Sequence, residues 1–156
     1  MKFYNIYIRG YCHGSSKNNT GACSAIILDS ENRLVDSVVQ KHYSSTKNRL
    51  EIMAAIAGLE YFNSPQNIII YSDLEYVINM INIWIKGWKK RGWAKRGDKE
   101  IVHLDLVRKL DDLISRHNSV KASWVKGGEF NEMAKQLAEF AVKPDDFDAE
   151  IGVTRK

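Results

Sequence analysis

No aspartate or glutamate occurs before Asp29, so the first 28 residues of this 156-residue chain offer no carboxylate ligand and no carboxylate base. Cysteine is almost as scarce. Cys12 and Cys23 are the only two, eleven positions apart, a spacing that fits neither a redox pair nor a zinc half-site. They are expected to be small buried or half-buried thiols. Proline occurs twice, at Pro65 and Pro144. Long apolar runs are missing as well: Ile68–Ile70 and Ala54–Ala57 are far too short to span a bilayer. The start, Met1-Lys2-Phe3-Tyr4-Asn5, lacks the apolar stretch of a secretory signal. A cytoplasmic protein is expected, with no membrane partner.

What is present is ordinary for one globular domain: 44% hydrophobic and 27% charged residues, in a chain long enough to bury its own core. The net charge of +4 is concentrated. Residues 86–97 read Lys-Gly-Trp-Lys-Lys-Arg-Gly-Trp-Ala-Lys-Arg-Gly, with six cations and no acid. Removing those six from the 23 Lys and Arg leaves 17 against 19 acids, a balance of −2. A localised patch of that kind attracts a polyanion. The competing reading is a solvated charged loop whose tryptophans belong to the core.

Periodicity orders the elements. Residues 2–9 are aromatic and β-branched, as strands are. His13–Gly21 is turn chemistry, and two more strands follow at about 22–29 and 33–41 around the turn Asp29-Ser30-Glu31-Asn32. Leu50, Met53, Ala54, Ala57 and Tyr61 mark one helix face, widened by Ile56, Leu59 and Phe62. Ser44, Ser45 or Thr46 can cap that helix, and Ser64-Pro65 stops it. Asn67–Tyr71 reads as a buried strand. A helix after Asp73, with Leu74, Val77, Ile78 and Ile81 on one face, is expected to be interrupted by the basic segment at 86. Further elements are a helix over about 101–117, a strand over 120–125 and a helix over 130–142, with 143–156 as a tail. Strands 1, 4 and 5 are expected to be parallel, beside an antiparallel meander.

This order and four local strings resemble bacterial type I ribonuclease H over residues 2–142. Asn48-Arg49-Leu50-Glu51-Ile52-Met53-Ala54-Ala55 is similar to the start of that family's first helix, where a glutamate holds metal. Tyr71-Ser72-Asp73-Leu74-Glu75-Tyr76-Val77 resembles its strand-to-helix turn, where an aspartate does the same. Trp84-Ile85-Lys86-Gly87-Trp88-Lys89-Lys90-Arg91-Gly92-Trp93 resembles the basic protrusion that grips the DNA strand of an RNA/DNA hybrid, here residues 84–97. Trp124-Val125-Lys126-Gly127 matches the string before the catalytic histidine loop. The fold implied is α/β: a five-stranded mixed sheet, three antiparallel strands plus parallel ones, flanked by helices.

The resemblance fails at its centre. It implies four carboxylates holding two Mg²⁺ ions that activate water and stabilise the leaving oxygen. Arg9, in Ile8-Arg9-Gly10-Tyr11, occupies the first carboxylate's place. Lys135, in Asn131-Glu132-Met133-Ala134-Lys135-Gln136-Leu137-Ala138, occupies the fourth. Gly128 follows Gly127 where the histidine loop should begin, and the loop to Asn131 is short. Glu51 and Asp73 remain as the only relic carboxylates. The formal charges of the four positions cancel, and neither Arg nor Lys supplies the oxygen ligands that hard cations require. Arg9 and Lys135 are expected to form ion pairs with Glu51 and Asp73, or to contact a backbone phosphate. The plainer alternatives are a dipole-favouring Glu51 and a helix-capping Asp73.

The expected function is a catalytically inactive ribonuclease H-like protein that binds RNA/DNA hybrid or another duplex. The binding residues expected are Trp84, Lys86, Trp88, Lys89, Lys90, Arg91, Trp93, Lys95 and Arg96, supported by Ser15, Thr46, Asn48 and Lys126. No cofactor is expected. One alternative is an active nuclease with a rebuilt site, taking Mg²⁺ or Mn²⁺ on Glu51 and Asp73 with Glu129 or Glu132. The other is a protein–protein adaptor that keeps only the fold.

Overall fold

The computed structural model describes residues 2–13, 20–43, 46–95, 97 and 99–150. Strands β1 (Tyr4–His13), β2 (Thr20–Asp29) and β3 (Leu34–Tyr43) form the antiparallel meander. β4 (Asn67–Ser72) runs parallel to β1, and β5 (Ser119–Trp124) parallel to β4. The sheet order is β3-β2-β1-β4-β5, the mixed α/β arrangement expected. The β2–β3 turn is built from its own side chains. The Asp29 carboxylate accepts from the Glu31 and Arg33 backbone N–H groups at 2.9 Å, and Asn32 takes the left-handed conformation that asparagine tolerates.

Helix α1 (Lys47–Glu60) starts at Thr46, whose Oγ1 accepts from the Arg49 N–H at 3.2 Å. It lies between one sheet face and α4 (Leu104–Arg116), so it is buried almost all round, Leu50 to Leu59. That explains why it lacks a clean apolar stripe. Tyr61, expected on the buried face, lies beyond the helix and is 36% exposed. Arg49 ties the two helices with a bidentate pair to Asp105, at 3.1 and 2.6 Å. The opposite sheet face is covered by α5 (Glu129–Glu150), with Ala134 against Ile26 and Leu28, and Ala138 and Val142 against Ala22. β2 is therefore buried from Gly21 to Leu28.

Three expectations about element ends are corrected. The basic segment does not interrupt its helix at 86. Short α2 (Glu75–Asn79), a π turn (Met80–Trp84) and α3 (Ile85–Lys90) succeed one another without a break. Only at Gly92 and Trp93, both with positive φ, does the chain turn away. Ile85 and Trp88 are buried, and this packing holds the helix through a run of like charges. Within the π turn, Asn82 exchanges two hydrogen bonds with the Ala122 backbone of β5, at 2.8 and 2.9 Å. The next helix, α4, begins at Leu104 rather than Ile101, after left-handed His103. The last helix passes its expected end at Val142 and continues to Glu150.

Candidate nucleic-acid interface and altered centre

The centre lies where β1 outruns β4. Tyr7 pairs with Tyr71 in the parallel register, and their rings stack with centroids 4.5 Å apart. Two residues further along each chain, on the same side of the sheet, come Arg9 and Asp73. The Arg9 Nη1 donates to the Asp73 Oδ2 in a close ion pair, with side chains 14% and 24% exposed. Arg9 Nε is buried and has no hydrogen-bond partner among the described residues. The first expected ion pair is thus present as the next rung above a tyrosine stack.

Glu51 sits on the other side of the same strand ends, wholly buried. Its Oε1 accepts the Gly10 N–H and its Oε2 accepts the Ser72 hydroxyl, both at 2.6 Å. Ser72 Oγ in turn accepts the Leu74 N–H at 3.1 Å. Burial pushes the Glu51 carboxyl up to about 7, against the lowering effect of those two hydrogen bonds, and the charge of Asp73 adds to the rise. Gly10 makes the approach of β1 to α1 possible: a Cβ there would stand 2.5 Å from the Glu51 backbone nitrogen. Gly10 and Ser72 were not singled out in the sequence. The signal for Gly10 was a glycine directly after a strand residue; for Ser72 there was none.

Lys135 does not join this cluster. Its Nζ stands 4.0 Å from Glu132 and 3.9 Å from Glu139, the partners that a long side chain meets one turn away on its own helix. The expected pairing of Lys135 with Glu51 or Asp73 is corrected accordingly. Two metal ions do not fit the residues present. Asp73 is held by a guanidinium, both Glu51 oxygens are engaged by protein donors, and Arg9 brings donors only. Among the described residues, no group of three or more His, Cys, Asp or Glu is placed to hold a metal ion.

The described basic residues follow one another along α3 and the segment after it. Lys86, Lys89, Lys90 and Arg91 are exposed, and Lys95 is half-buried. Lys89 is countered by Asp111 at 3.2 Å, and Lys95 lies over the Trp88 ring at 5.9 Å. Arg91 Nε donates to the Ala94 carbonyl at 3.2 Å, closing the turn that follows α3. The tryptophans shape this protrusion more than they present it. Trp88 is 7% exposed, Trp84 packs on it at 5.8 Å, and Trp93 lies under Arg108 at 5.4 Å. Tyr76, Trp84, Trp88, Lys95 and Val102 line a cavity of about 310 Å³. Thr46, Asn48 and Lys126 are exposed, Thr46 with its hydroxyl used as the α1 cap. Ser15 and Arg96 lie outside the described residues. Among those described, no helix is long and apolar enough to cross a membrane.

Comparison with known proteins agrees with this architecture. The RNase H family model matches residues 6–143. The curated Ribonuclease H of Photorhabdus laumondii is 37% identical over 134 residues, 84% of this chain and 85% of that one. That of Chromobacterium violaceum is 43% identical over 102 residues, 64% and 69% of the two chains. Among solved structures, LC9-RNase H1, a type 1 RNase H with the type 2 active-site motif, has a TM-score of 0.77 at 20% identity, covering 92% of this chain and 74% of that one. LC11-RNase H1, solved in complex with RNA/DNA hybrid, has a TM-score of 0.69 at 18% identity, covering 91% and 98%. With the sheet order and a family match over most of its length, this chain belongs to the ribonuclease H family.

Proposed function

We propose that this chain binds RNA/DNA hybrid, or a related nucleic-acid duplex, and does not cut it. The observation that carries the reading is the Arg9–Asp73 ion pair; on the resemblance drawn from the sequence, Arg9 takes a metal-binding carboxylate's place and engages one of the two acids left. The residues assigned to duplex binding are Thr46, Asn48, Lys126, Lys86, Lys90 and Arg91, all exposed. Among described residues, Lys86 and Lys90 have no ion-pair partner, so their full charge faces solvent. Such charges release condensed counterions from a duplex and make affinity fall steeply with salt. A solved neighbour in complex with RNA/DNA hybrid supports the choice of hybrid as first ligand.

The test is cleavage of an end-labelled RNA/DNA hybrid by purified protein in Mg²⁺ and in Mn²⁺, beside fluorescence anisotropy with the same hybrid. Intact hybrid that is bound with strong salt dependence is the expected result. One observation favours a second reading, an active ribonuclease H: the curated relatives at 37% and 43% identity are so described. Metal-dependent cleavage that disappears in both Glu51→Ala and Asp73→Asn would establish it. Tight hybrid binding is not expected of a protein–protein adaptor, so weak, salt-insensitive binding selects that third reading.

A further inference from the structure

We propose that Arg9 is an internal cation that takes over the structural duty of a bound divalent ion, so that the fold and the duplex-binding face of this chain need no metal. The duplex part of this inference rests on the function proposed above; the stability part does not.

The strand ends themselves carry the inference. β1 and β4 stop pairing after Tyr7 and Tyr71, yet β1 runs on to His13. Something must hold the diverging ends together. On one side of the sheet this is the Arg9–Asp73 pair, one rung beyond the Tyr7–Tyr71 stack. On the other side it is Glu51, which bridges the Gly10 N–H and the Ser72 hydroxyl at 2.6 Å each. Gly10 follows Arg9 and Ser72 precedes Asp73, so the two clasps grip the same two strand ends from opposite sides. A divalent ion in such a cleft joins acids from neighbouring elements. Here the protein makes both connections with its own donors. The guanidinium is only 14% exposed and is covalently part of the chain, so it is a cation that no chelator removes. Its burial requires a counter-charge, which Asp73 supplies.

Thermal unfolding is measured in 10 mM Mg²⁺ and in EDTA at matched ionic strength, for wild type, Arg9→Gln and Arg9→Asp, together with hybrid affinity of the wild type in both buffers. The wild-type Tm is expected to be the same in both to within about 1 °C, and hybrid affinity to within about twofold. Arg9→Gln is expected to unfold several degrees earlier in both buffers, with no response to Mg²⁺. Arg9→Asp, which crowds three acids, is expected to be the least stable in EDTA and to recover at least about 3 °C in Mg²⁺, as ligand linkage requires. A wild-type Tm that rises with Mg²⁺ overturns the proposal, as does an Arg9→Gln protein as stable as wild type. A folded Arg9→Asp protein indifferent to Mg²⁺ overturns it too. If wild type binds no hybrid, the function proposed above fails, and the Tm series still decides the role of Arg9. Should Arg9→Asp not fold in EDTA, folding on addition of Mg²⁺ supports the proposal and continued unfolding counts against it.

Discussion

Replacing Glu51 by glutamine should stabilise this protein, and more so as the pH rises. The carboxyl titrates from an ordinary 4.5 when unfolded to about 7 when folded, mainly because burial disfavours its charge. A folded-state value above the unfolded one means that the folded protein binds the proton more tightly. The stability that this confers is complete below pH 4.5 and is lost as the pH rises through 7. The full difference, about 2.5 pH units, corresponds to about 3 kcal/mol. Between pH 5.5 and 8 the share lost is about 2 kcal/mol, or roughly 4–8 °C in Tm for a domain of this size. Glutamine resembles the protonated acid: its carbonyl can accept the Gly10 N–H while its amide donates to Ser72 Oγ. It has no charge to bury. The assay is urea unfolding of wild type and Glu51→Gln from pH 5 to 8.5. Subtracting the two curves removes every other titrating group. A difference that grows by about 2.5 kcal/mol over that range, in favour of the variant, is expected. Parallel curves, or a variant that loses stability at high pH faster than wild type, would refute the reasoning.

Gly10→Ala should cost 3 kcal/mol or more, about the price of strong overpacking, because the new Cβ would meet the Glu51 nitrogen at 2.5 Å and the Leu50 carbonyl carbon at 2.8 Å, both backbone atoms; chemical denaturation measures it, and a loss under 1 kcal/mol would contradict the observed strand-to-helix approach. Asn82→Ala should cost about 1–3 kcal/mol by leaving the Ala122 N–H and carbonyl without their partners, read as a lowered urea midpoint at unchanged m-value. The double variant Lys86→Ala, Lys90→Ala should leave Tm within about 2 °C, since both side chains are exposed, while flattening the plot of log hybrid affinity against log salt by about 2. An unchanged salt slope would place the duplex elsewhere.

Much of the fold was legible because period-2 and period-3.6 patterns report directly on which side of an element is buried. The meander, the parallel β1, β4 and β5, and the helices α1, α2, α4 and α5 were visible in that way. Helix ends were less so. The run Lys86 to Arg91 reads as a break, because like charges at close spacing oppose a helix. In the folded protein, burial of Ile85 and Trp88 outweighs that repulsion and carries α3 to Lys90. At the centre, the sequence alone supplied the charges: Arg9 and Lys135 are cations, Glu51 and Asp73 are acids, and no acid occurs before Asp29. It could not determine which cation meets which acid. Arg9 and Asp73 are 64 residues apart, and only the parallel register of β1 on β4 brings them onto one rung. Lys135 is equally cationic, but its ammonium lies beside Glu132 and Glu139 on its own helix. The charges were written in the chain; the pairing was decided by strand register and by the reach of each side chain, which are properties of the packed sheet.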